Sequence, residues 1–400
     1  MRVLISGASI AGPVLAYWLA RYGFDVTVVE RAPTLRKTGG HAVDLFRPAM
    51  EISEQMGVLP RIEAHATGTT RLTIYRDGAR RPIGVDLTKI IAAASDRHVE
   101  IMRDDLSEIY YDATDVEYLF GDSITAVSPD GGVTFERATP RRFDVVVGAD
   151  GLHSNVRRLV FGDEAVLTRF LGGYLAVASV PKALAHDGEM AGHVGVGRIA
   201  GIYSAQHLDD ARMLFMFHSP ELDYDHRDTV RQKELLRAAF AGMAPRVDGW
   251  LEQLDDTPAF YFDSITQLQL DGWSRGRVTL VGDAGYCPGP AVGGSTSLAV
   301  VGAYVLAGEL ARAGGDHAAA FAAYEKQMLE PVRRSRAFAR GAAKTVVPGS
   351  SAAVWAVTRG AQLVSALPAP LTRAVAKLNT RGVRMHDSIQ VPDYSATVVT

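Results

Sequence analysis

The chain has 400 residues, of which 47% are hydrophobic; this is more apolar material than one small core needs and predicts two domains. Its formal net charge of -3 excludes an overall basic field for nucleic acid or for an anionic membrane surface. The single cysteine, Cys287, excludes an internal disulfide and a cysteine-clustered metal site, and it favours a reducing cytoplasm.

The first predicted elements form a strand, a helix and a second strand. Apolar runs at 2–6 and 25–30 predict two buried strands, and the spacing of Ile10, Val14 and Trp18 predicts a helix over 10–22 between them. Because a helical crossover connects the strands, we expect them to be parallel.

A glycine-rich turn, Gly7-Ala-Ser9-Ile-Ala-Gly12, joins the first strand to the helix. Glycine at both ends permits a tight turn and close packing, and the helix N-terminus presents free N–H groups to a pyrophosphate. Glu30 closes the second strand, where it can accept hydrogen bonds from ribose hydroxyls. Ser9 replaces the middle glycine of the usual fingerprint, so an ordinary strand-to-helix turn remains the alternative. The candidate nucleotide-binding residues here are Gly7, Ser9, Ile10, Ala11, Gly12, Glu30 and Arg31.

The rest of the chain alternates between two patterns. A polar loop and a helix are followed by two segments with hairpin turn signals, a buried strand, four long alternating strands and a second buried strand. A glycine-rich loop then leads into a helix that ends near residue 310, and the last stretch is helical, with a basic run expected on the surface. The polar loop is 35–43 and the helix after it 48–56, and the segments with hairpin turn signals are 71–80 and 115–136. The two buried strands are 143–148 and 277–281, and the four alternating strands between them are 172–180, 199–206, 212–218 and 259–270. The last helical stretch is 318–378, and the basic run within it is 333–340.

Two further motifs lie beside predicted buried strands: Asp150-Gly151 and Gly282-Asp283. Asp283 follows a strand at its C-terminal end, where open α/β sheets bind ligands, and its carboxylate can accept hydrogen bonds from a polyol. The loop after Asp283 leads into a helix near Ser295, which offers a second set of free N–H groups. Taken singly, each motif is also compatible with an ordinary turn.

Together, in this order and spacing, the three motifs resemble those of the flavoprotein aromatic hydroxylases related to para-hydroxybenzoate hydroxylase. The resemblance implies that Asp283 binds the ribityl chain of FAD, that Asp150 and Gly151 lie against the cofactor, and that Arg103 lies near the flavin. A surface arginine at the start of a helix is the alternative for Arg103. The remaining implied FAD contacts are Gly282, Gly293, Gly294, Ser295 and Thr296.

The chain also departs from that family beside the flavin. Where the family usually has histidine after its Gly-Asp-Ala-Ala sequence, this chain reads Gly285-Tyr286-Cys287, and Ser297 stands where the family usually has asparagine. These changes affect the detailed contacts that the resemblance implies. A small buried residue beside the cofactor is the favoured interpretation of Cys287, ahead of a redox or flavin-linking role.

The implied fold is α/β, with a Rossmann-like FAD-binding domain interleaved with an antiparallel-sheet substrate domain and followed by C-terminal helices. We expect the FAD-binding domain to comprise 1–70, 100–165 and 271–320, the substrate domain 71–99 and 166–270, and the C-terminal helical segment 321–400. No single linker would then separate the two domains.

The implied activity is that of an FAD-dependent monooxygenase, which uses NAD(P)H and O2 to hydroxylate an aromatic or polyketide-like small molecule through a flavin hydroperoxide. FAD is expected to be noncovalent. Because the chain has one dinucleotide fingerprint, NAD(P)H would bind transiently over the flavin. The scattered histidines predict no metal site. No uncharged run reaches the roughly 20 apolar residues of a spanning helix, so we expect a soluble cytoplasmic protein with neither a membrane nor a nucleic acid as its partner.

The alternating strands over 166–270 are expected to form a sheet that covers the flavin and faces the substrate. Tyr203 and His218 on these strands, and Asp44 in the loop after the Gly39-Gly40 turn, are the candidate substrate contacts. Phe215, Phe217 and Tyr261 share the same strands, but alternation alone does not assign their faces. The sequence identifies no catalytic acid or base.

Two other functions remain open at this point. A flavin-dependent reductase of isoprenoid double bonds would share the nucleotide motifs and need no oxygen, and a non-enzymatic FAD-binding protein would share the cofactor site alone. A flavin halogenase is disfavoured because its Trp-x-Trp-x-Ile-Pro signature is absent from the sequence.

Overall fold

The computed structural model describes residues 1–35, 40–76, 81–88, 97–290, 294–367 and 381–397. Its strands are β1 (Arg2–Ser6), β2 (Asp25–Glu30), β3 (Ala42–Phe46), β4 (Arg71–Arg76), β5 (Ile83–Asp86), β6 (His98–Met102), β7 (Glu117–Phe120), β8 (Ile124–Val127), β9 (Gly132–Phe135), β10 (Arg141–Arg142), β11 (Val145–Gly148), β12 (Thr168–Pro181), β13 (Glu189–Gly195), β14 (Arg198–Tyr203), β15 (Asp210–His218), β16 (Phe260–Leu268), β17 (Ser274–Arg275) and β18 (Val278–Leu280). Its helices are α1 (Ala11–Arg21), α2 (Arg47–Gln55), α3 (Leu59–Ala64), α4 (Arg103–Asp112), α5 (Asn155–Phe161), α6 (Glu164–Leu167), α7 (Thr229–Phe240), α8 (Pro245–Glu252), α9 (Asp283–Tyr286), α10 (Ser295–Arg312), α11 (His317–Thr345), α12 (Ser351–Ala366) and α13 (Arg381–Asp387).

A six-stranded sheet in the order β17-β18-β11-β1-β2-β7 forms the first core, and its strands are parallel except for β17. Val3, Leu4 and Ile5 of β1 have no exposed surface, as expected for a strand covered on both faces. Helices α1 and α10 pack together beside it, with the rings of Trp18 and Tyr304 4.8 Å apart. The predicted βαβ unit is thereby confirmed.

The prediction of hairpins over 115–136 was only partly right. Strands β8 and β9 do form an antiparallel ladder, but β7 pairs in parallel with β2, with Glu30 opposite Phe120. Strand β7 is a half-exposed edge strand, so its sequence alternates as a hairpin strand does. Its partner is set by long-range pairing, which the local pattern does not report.

The second core is a seven-stranded sheet in the order β16-β12-β15-β14-β13-β4-β5. One face, which we call the outer face, packs on α7 and α8 through side chains that include Phe215, Phe217, Phe240 and Trp250. Strand β13 and these two helices were not predicted, because the whole stretch over 165–270 was taken as alternating strands.

The opposite, inner face of this sheet carries Leu175, Val177 and Tyr261, and the end of α11 packs on part of it. Helix α12 packs on the inner face further along, where Val354 contacts the cluster of Ile74 and neighbouring strand residues. The paired strands β3 and β6 form a separate two-stranded ladder.

The C-terminal part is helical as predicted, but α11 ends at Thr345 and α12 starts at Ser351, so the stretch is broken. The prediction that the basic run over 333–340 is all surface was wrong in part. Arg336 donates to the Leu270 carbonyl at 3.5 Å, Arg340 donates to Gln267 Oε1 at 3.2 Å, and burial lowers the pKa of Arg336.

The strands of the six-stranded sheet come from three separate parts of the chain, and those of the seven-stranded sheet come from the segments between them. The exact domain boundaries stay a prediction. Among the described residues, no helix is both long and apolar enough to cross a bilayer, and no group of three metal-ligating side chains is assembled.

Candidate cofactor site

The glycine turn between β1 and α1 leaves no room for side chains at its two ends. Gly7 has φ +108°, and a Cβ there would lie 2.5 Å from the Ala149 carbonyl oxygen. A Cβ on Gly12 would lie 1.9 Å from the Gly7 carbonyl oxygen, so both positions require glycine. The N-terminus of α1, capped at Ile10, has no side-chain cap bond, so its N–H groups face the space above the turn.

Glu30 stands at the end of β2, beside this turn. Its carboxylate accepts hydrogen bonds from the backbone N–H of Ala8 at 3.0 Å and of Ala32 at 2.8 Å. These bonds fix the carboxylate next to the glycine turn, at the edge where the parallel strands end. Arg31, the next residue, is exposed.

Asp283 stands at the corresponding edge beyond β18 and is half-buried. Burial raises the pKa of Asp283, while the positive charge of Arg103 and a hydrogen bond from the Cys287 thiol act in the opposite direction. Arg103 also donates to Ser9 Oγ at 3.2 Å. The structure therefore brings the first and third motifs together around one arginine.

The second motif has a different local role. The Asp150 carboxylate accepts hydrogen bonds from Ser154 Oγ at 2.5 Å and from the backbone N–H groups of Asn155 and Val156 at 2.9 and 3.1 Å. Asp150 thus holds the start of α5, and its oxygens are committed to the protein. Gly151 has φ +79°, and no atom lies within 4 Å of the position that a Cβ would take.

Arg157, which the sequence reasoning did not place in the site, ties the second motif to the third. It is 1% exposed, donates to the Ala284 carbonyl at 2.9 Å and pairs with Glu164 at 2.9 Å. Its place six residues after Gly151, in the stretch that follows the second motif, was the signal that could have identified it.

The N-terminus of α10 borders the same site; we call the space bordered by the glycine turn, Glu30, Asp283 and this helix start the cradle. Gly294 is in the left-handed region with φ +83°, Ser295 and Thr296 are half-buried, and no side chain caps this helix start. Gly282 is buried, and a Cβ there would lie 3.2 Å from the Cβ of Ala11. The predicted contact Gly293 lies outside the described residues.

These features fit a dinucleotide. Two long helices, α1 and α10, present uncapped N-termini, which suit a pyrophosphate, while the carboxylates of Glu30 and Asp283 flank them and suit hydroxyl-bearing sugar or ribityl groups. Arg103 lies between the two motifs.

A polar cluster lies on the β3–β6 ladder, where Asp44 pairs with His98 at 2.7 Å and lies opposite Glu100. Burial raises the pKa of Glu100, and a hydrogen bond from Thr67 opposes it. Burial would lower the pKa of His98, but the hydrogen bond to Asp44 and its charge outweigh this and raise it. The sequence identified Asp44 but neither His98 nor Glu100, which belong to no recognised motif.

Tyr203 and His218 do not lie together. The Tyr203 side chain is buried on the inner face, and its hydroxyl accepts a hydrogen bond from the Ala42 N–H at 2.9 Å, so it holds β3. His218 hydrogen-bonds the Ala343 carbonyl at 3.3 Å and lines a separate cavity of about 430 Å³. Since Tyr203 pairs with Arg212, it lies six residues, or roughly 20 Å, from His218 along the sheet.

Tyr261 lies near the cradle. It is on the inner face, its ring centre is 6.4 Å from that of His41, and its hydroxyl is influenced by the charge of Arg103. Burial and the charge of Arg103 lower the pKa of His41 to about 4. Tyr261 therefore borders the space between the cradle and the seven-stranded sheet.

Comparisons with known proteins point to the same cofactor, FAD. Residues 1–335 match the protein family described as an FAD binding domain. An uncharacterized protein of Mycobacterium tuberculosis (strain ATCC 25618 / H37Rv) is 45% identical over 345 residues, covering 84% of this chain and 91% of that protein. A flavin-dependent monooxygenase from an unknown prokaryotic organism is 38% identical over 341 residues, covering 84% of this chain and 88% of that protein. The crystal structure of the tetracycline destructase Tet(51) matches with a TM-score of 0.82 and 30% identity, covering 98% of this chain and 99% of that chain.

Proposed function

Because this chain belongs to the FAD-binding-domain family of flavin-dependent monooxygenases, we propose that it hydroxylates a flat aromatic or polyketide-like small molecule with NAD(P)H as electron donor. FAD is its cofactor, and the chain is a flavoprotein monooxygenase. Bound FAD supplies the redox chemistry, while the protein orients the reactants and excludes water.

One observation carries the proposed substrate class: two glycines stand side by side on the inner face of the seven-stranded sheet. Gly192 of β13 pairs with Gly201 of β14, and their row continues through Leu214 and Val177 to Tyr261. A Cβ on Gly192 would find its nearest neighbour at 3.7 Å, and one on Gly201 at 3.6 Å. The pair therefore leaves a shallow hollow floored by backbone, which we call the glycine hollow.

The surroundings of the glycine hollow suit a flat molecule with polar groups at one end. Half-buried apolar side chains of Leu72, Met190, Ile199 and Leu214 border it on the same face. Gly201 and Tyr261 are three strand spacings apart, or about 14 Å, so one extended ring system could reach from the hollow to the cradle.

The polar end is supplied by the cluster on the β3–β6 ladder, which Tyr203 holds against this part of the sheet. Asp44 and Glu100 offer carboxyl oxygens, and His98 offers a ring nitrogen. This set suits a substrate that carries hydroxyl, amide or amino groups. One matching structure is named a tetracycline destructase, and a tetracycline is a ring system of the kind proposed here for the substrate of this chain.

Transient binding of NAD(P)H is supported by the single glycine-rich βαβ unit that the described residues contain. The cytoplasm is the proposed location, since one buried cysteine fits a reducing compartment.

The test fills the glycine hollow without touching the cradle. Purified wild-type protein is incubated with FAD, NADH or NADPH, oxygen and a panel of phenols and polycyclic polyketides, and products are examined by mass spectrometry for an added oxygen atom. We expect Gly201→Leu to abolish or redirect that product while retaining the wild-type FAD content, because the side chain would occupy the hollow.

The matched control is Gly249→Leu on α8, on the outer side of the sheet, where no atom lies within 4 Å of an added Cβ. It should keep the wild-type product profile. If Gly201→Leu kept that profile as well, the substrate would bind elsewhere.

A further inference from the structure

A chain of hydrogen bonds leads from Tyr261 away from the space between the cradle and the seven-stranded sheet, which we call the cleft. The Tyr261 hydroxyl donates to Asp263 Oδ2 at 3.3 Å, and His153 Nε2 lies 2.9 Å from the same oxygen. His153 Nδ1 lies 2.9 Å from Glu164 Oε1. We call these four side chains the proton path.

The two ends of the proton path differ in their surroundings. Tyr261 lies beside the His41 ring and within the influence of the Arg103 charge, and the Asp263 side chain is only 6% exposed. The side chains of His153 and Glu164 are 38% and 32% exposed. The path therefore starts beside the cradle, crosses a buried carboxylate and reaches solvent.

The proton path also joins the two parts of the molecule. Tyr261 and Asp263 belong to β16 of the substrate sheet, whereas His153 lies in the loop after Asp150 and Gly151. A purely structural tie between the domains would need the pair of His153 and Asp263, but it would not need the tyrosine hydroxyl at the cleft.

The reaction requires a proton in the cleft, and this step rests on the proposed function with NAD(P)H. A hydride from NAD(P)H and one proton from solvent accompany each dioxygen, because one oxygen atom enters the product and the other leaves as water. We propose that Tyr261, Asp263 and His153 carry this proton from solvent to the cleft.

Each transfer along the proton path conserves protons. The Tyr261 hydroxyl gives its proton to the acceptor in the cleft and receives one from the Asp263 carboxyl, which receives the Nε2 proton of His153. His153, left neutral with its remaining proton on Nδ1 beside Glu164, regains the lost Nε2 proton from solvent when its ring rotates. No group on the path is oxidised or reduced, and one proton moves inward.

The charges around the path favour a protonated His153. Burial alone would lower the pKa of His153, but hydrogen bonds to Asp263 and Glu164 and their charges raise it to about 10. Burial raises the pKa of Tyr261 well above its usual value, and the charge of Asp263 adds to this. The tyrosine is therefore a hydroxyl donor at neutral pH, and His153 is a cation that can supply a proton.

Other polar and titratable groups face the path. Asp263 also accepts from the Ser264 N–H at 2.8 Å and lies near Tyr174 and Tyr224. The His226 ring stacks on that of His153 at 5.0 Å, and its pKa is lowered by burial and by the charge of His153.

Arg157 pairs with Glu164 at the outer end of the path. Burial would raise the pKa of Glu164, but the hydrogen bond and charge of His153, together with the charge of Arg157, lower it. Glu164 therefore stays ionised beside His153 at neutral pH.

The first readout does not depend on turnover. Since the pKa of His153 is raised in the folded protein, its contribution to stability is full below its ordinary value near 6.5 and is lost as pH rises through about 10. Thermal unfolding of the FAD-loaded protein between pH 7 and 10 should show this loss in the wild type and a smaller one in His153→Gln.

The second readout is turnover with the best substrate of the panel. We expect Tyr261→Phe and His153→Gln to lower kcat on the order of 10²-fold with FAD content unchanged, because general acid–base groups typically contribute 10²–10⁴-fold. Imidazole added to His153→Ala should restore part of the rate, and Asp263→Glu should keep more activity than Asp263→Asn.

The matched control is His207→Gln. His207 pairs with Asp105 at 2.9 Å and likewise links the substrate domain to the FAD-binding domain, but it has no bond to Tyr261. It should keep the wild-type kcat and pH profile.

If the wild type adds oxygen to a substrate while Tyr261→Phe and His153→Gln keep its rate and pH profile, the proton path is overturned and the proposed function stands. If the wild type adds oxygen to no substrate, both are overturned. Loss of rate in His153→Gln with no rescue by imidazole in His153→Ala would assign His153 a structural role only.

Discussion

Asp283 shows how a single side chain can be matched to a cofactor. It is half-buried at the end of β18, burial raises its pKa, and its charged neighbour is Arg103. A carboxylate in that setting gains from hydroxyl donors, which the ribityl chain of FAD would provide. The carboxylate oxygens of Asp150, by contrast, accept hydrogen bonds from the residues at the start of α5. The two acidic residues of the motifs therefore differ in role.

We predict that Asp283→Ala weakens FAD binding by about 1–3 kcal/mol, because ribityl hydroxyls would be left without an acceptor at a poorly hydrated site. Titration of apoprotein with FAD, followed by flavin fluorescence, measures this. Asp25→Ala at the exposed start of β2 is the control and should bind FAD like the wild type. Equal affinity in both variants would remove Asp283 from the cofactor site.

At the scale of elements, β3 is held from two sides, by the seven-stranded sheet and by α10. The Ala42 N–H donates to the Tyr203 hydroxyl, and the Phe46 N–H donates to Ser297 Oγ at 2.9 Å. Ser297, where the resembling family usually has asparagine, thus positions the strand that carries Asp44. The serine that replaces the usual asparagine therefore holds the backbone of β3 in place.

We therefore predict different effects for the two sheet residues that the sequence offered as substrate contacts. Tyr203→Phe should leave the Ala42 N–H unpaired at a cost of about 1–3 kcal/mol in stability and should displace β3, so that more hydrogen peroxide is released per NAD(P)H. His218→Ala should change neither substrate preference nor coupling, because His218 faces Ala343. Peroxide yield per NAD(P)H measures both, and an effect of His218→Ala alone would reverse this assignment.

Across the whole molecule, sequence patterns were enough to predict the features that depend only on residues close together in the chain. A short stretch of sequence determines each of the glycine turn, the parallel strands β1 and β2 and the motif at Asp283. The three motifs together identified the family. Which face of the sheet a side chain of a long strand occupies was not predictable, because the alternating pattern is the same for either assignment. Phe215 lies on the outer face and Tyr203 on the inner face. Contacts between distant segments, such as that of His153 with Asp263, have no local signal at all.

We propose that the small molecule to which this flavoprotein adds an oxygen atom from dioxygen binds between the cradle and the inner face of the seven-stranded sheet. The most direct measurement is turnover with NAD(P)H under ¹⁸O₂, followed by mass spectrometry of the product. We expect a product that carries one ¹⁸O atom and forms only when oxygen is present. A product that forms without oxygen, or that takes its oxygen from water, would contradict it.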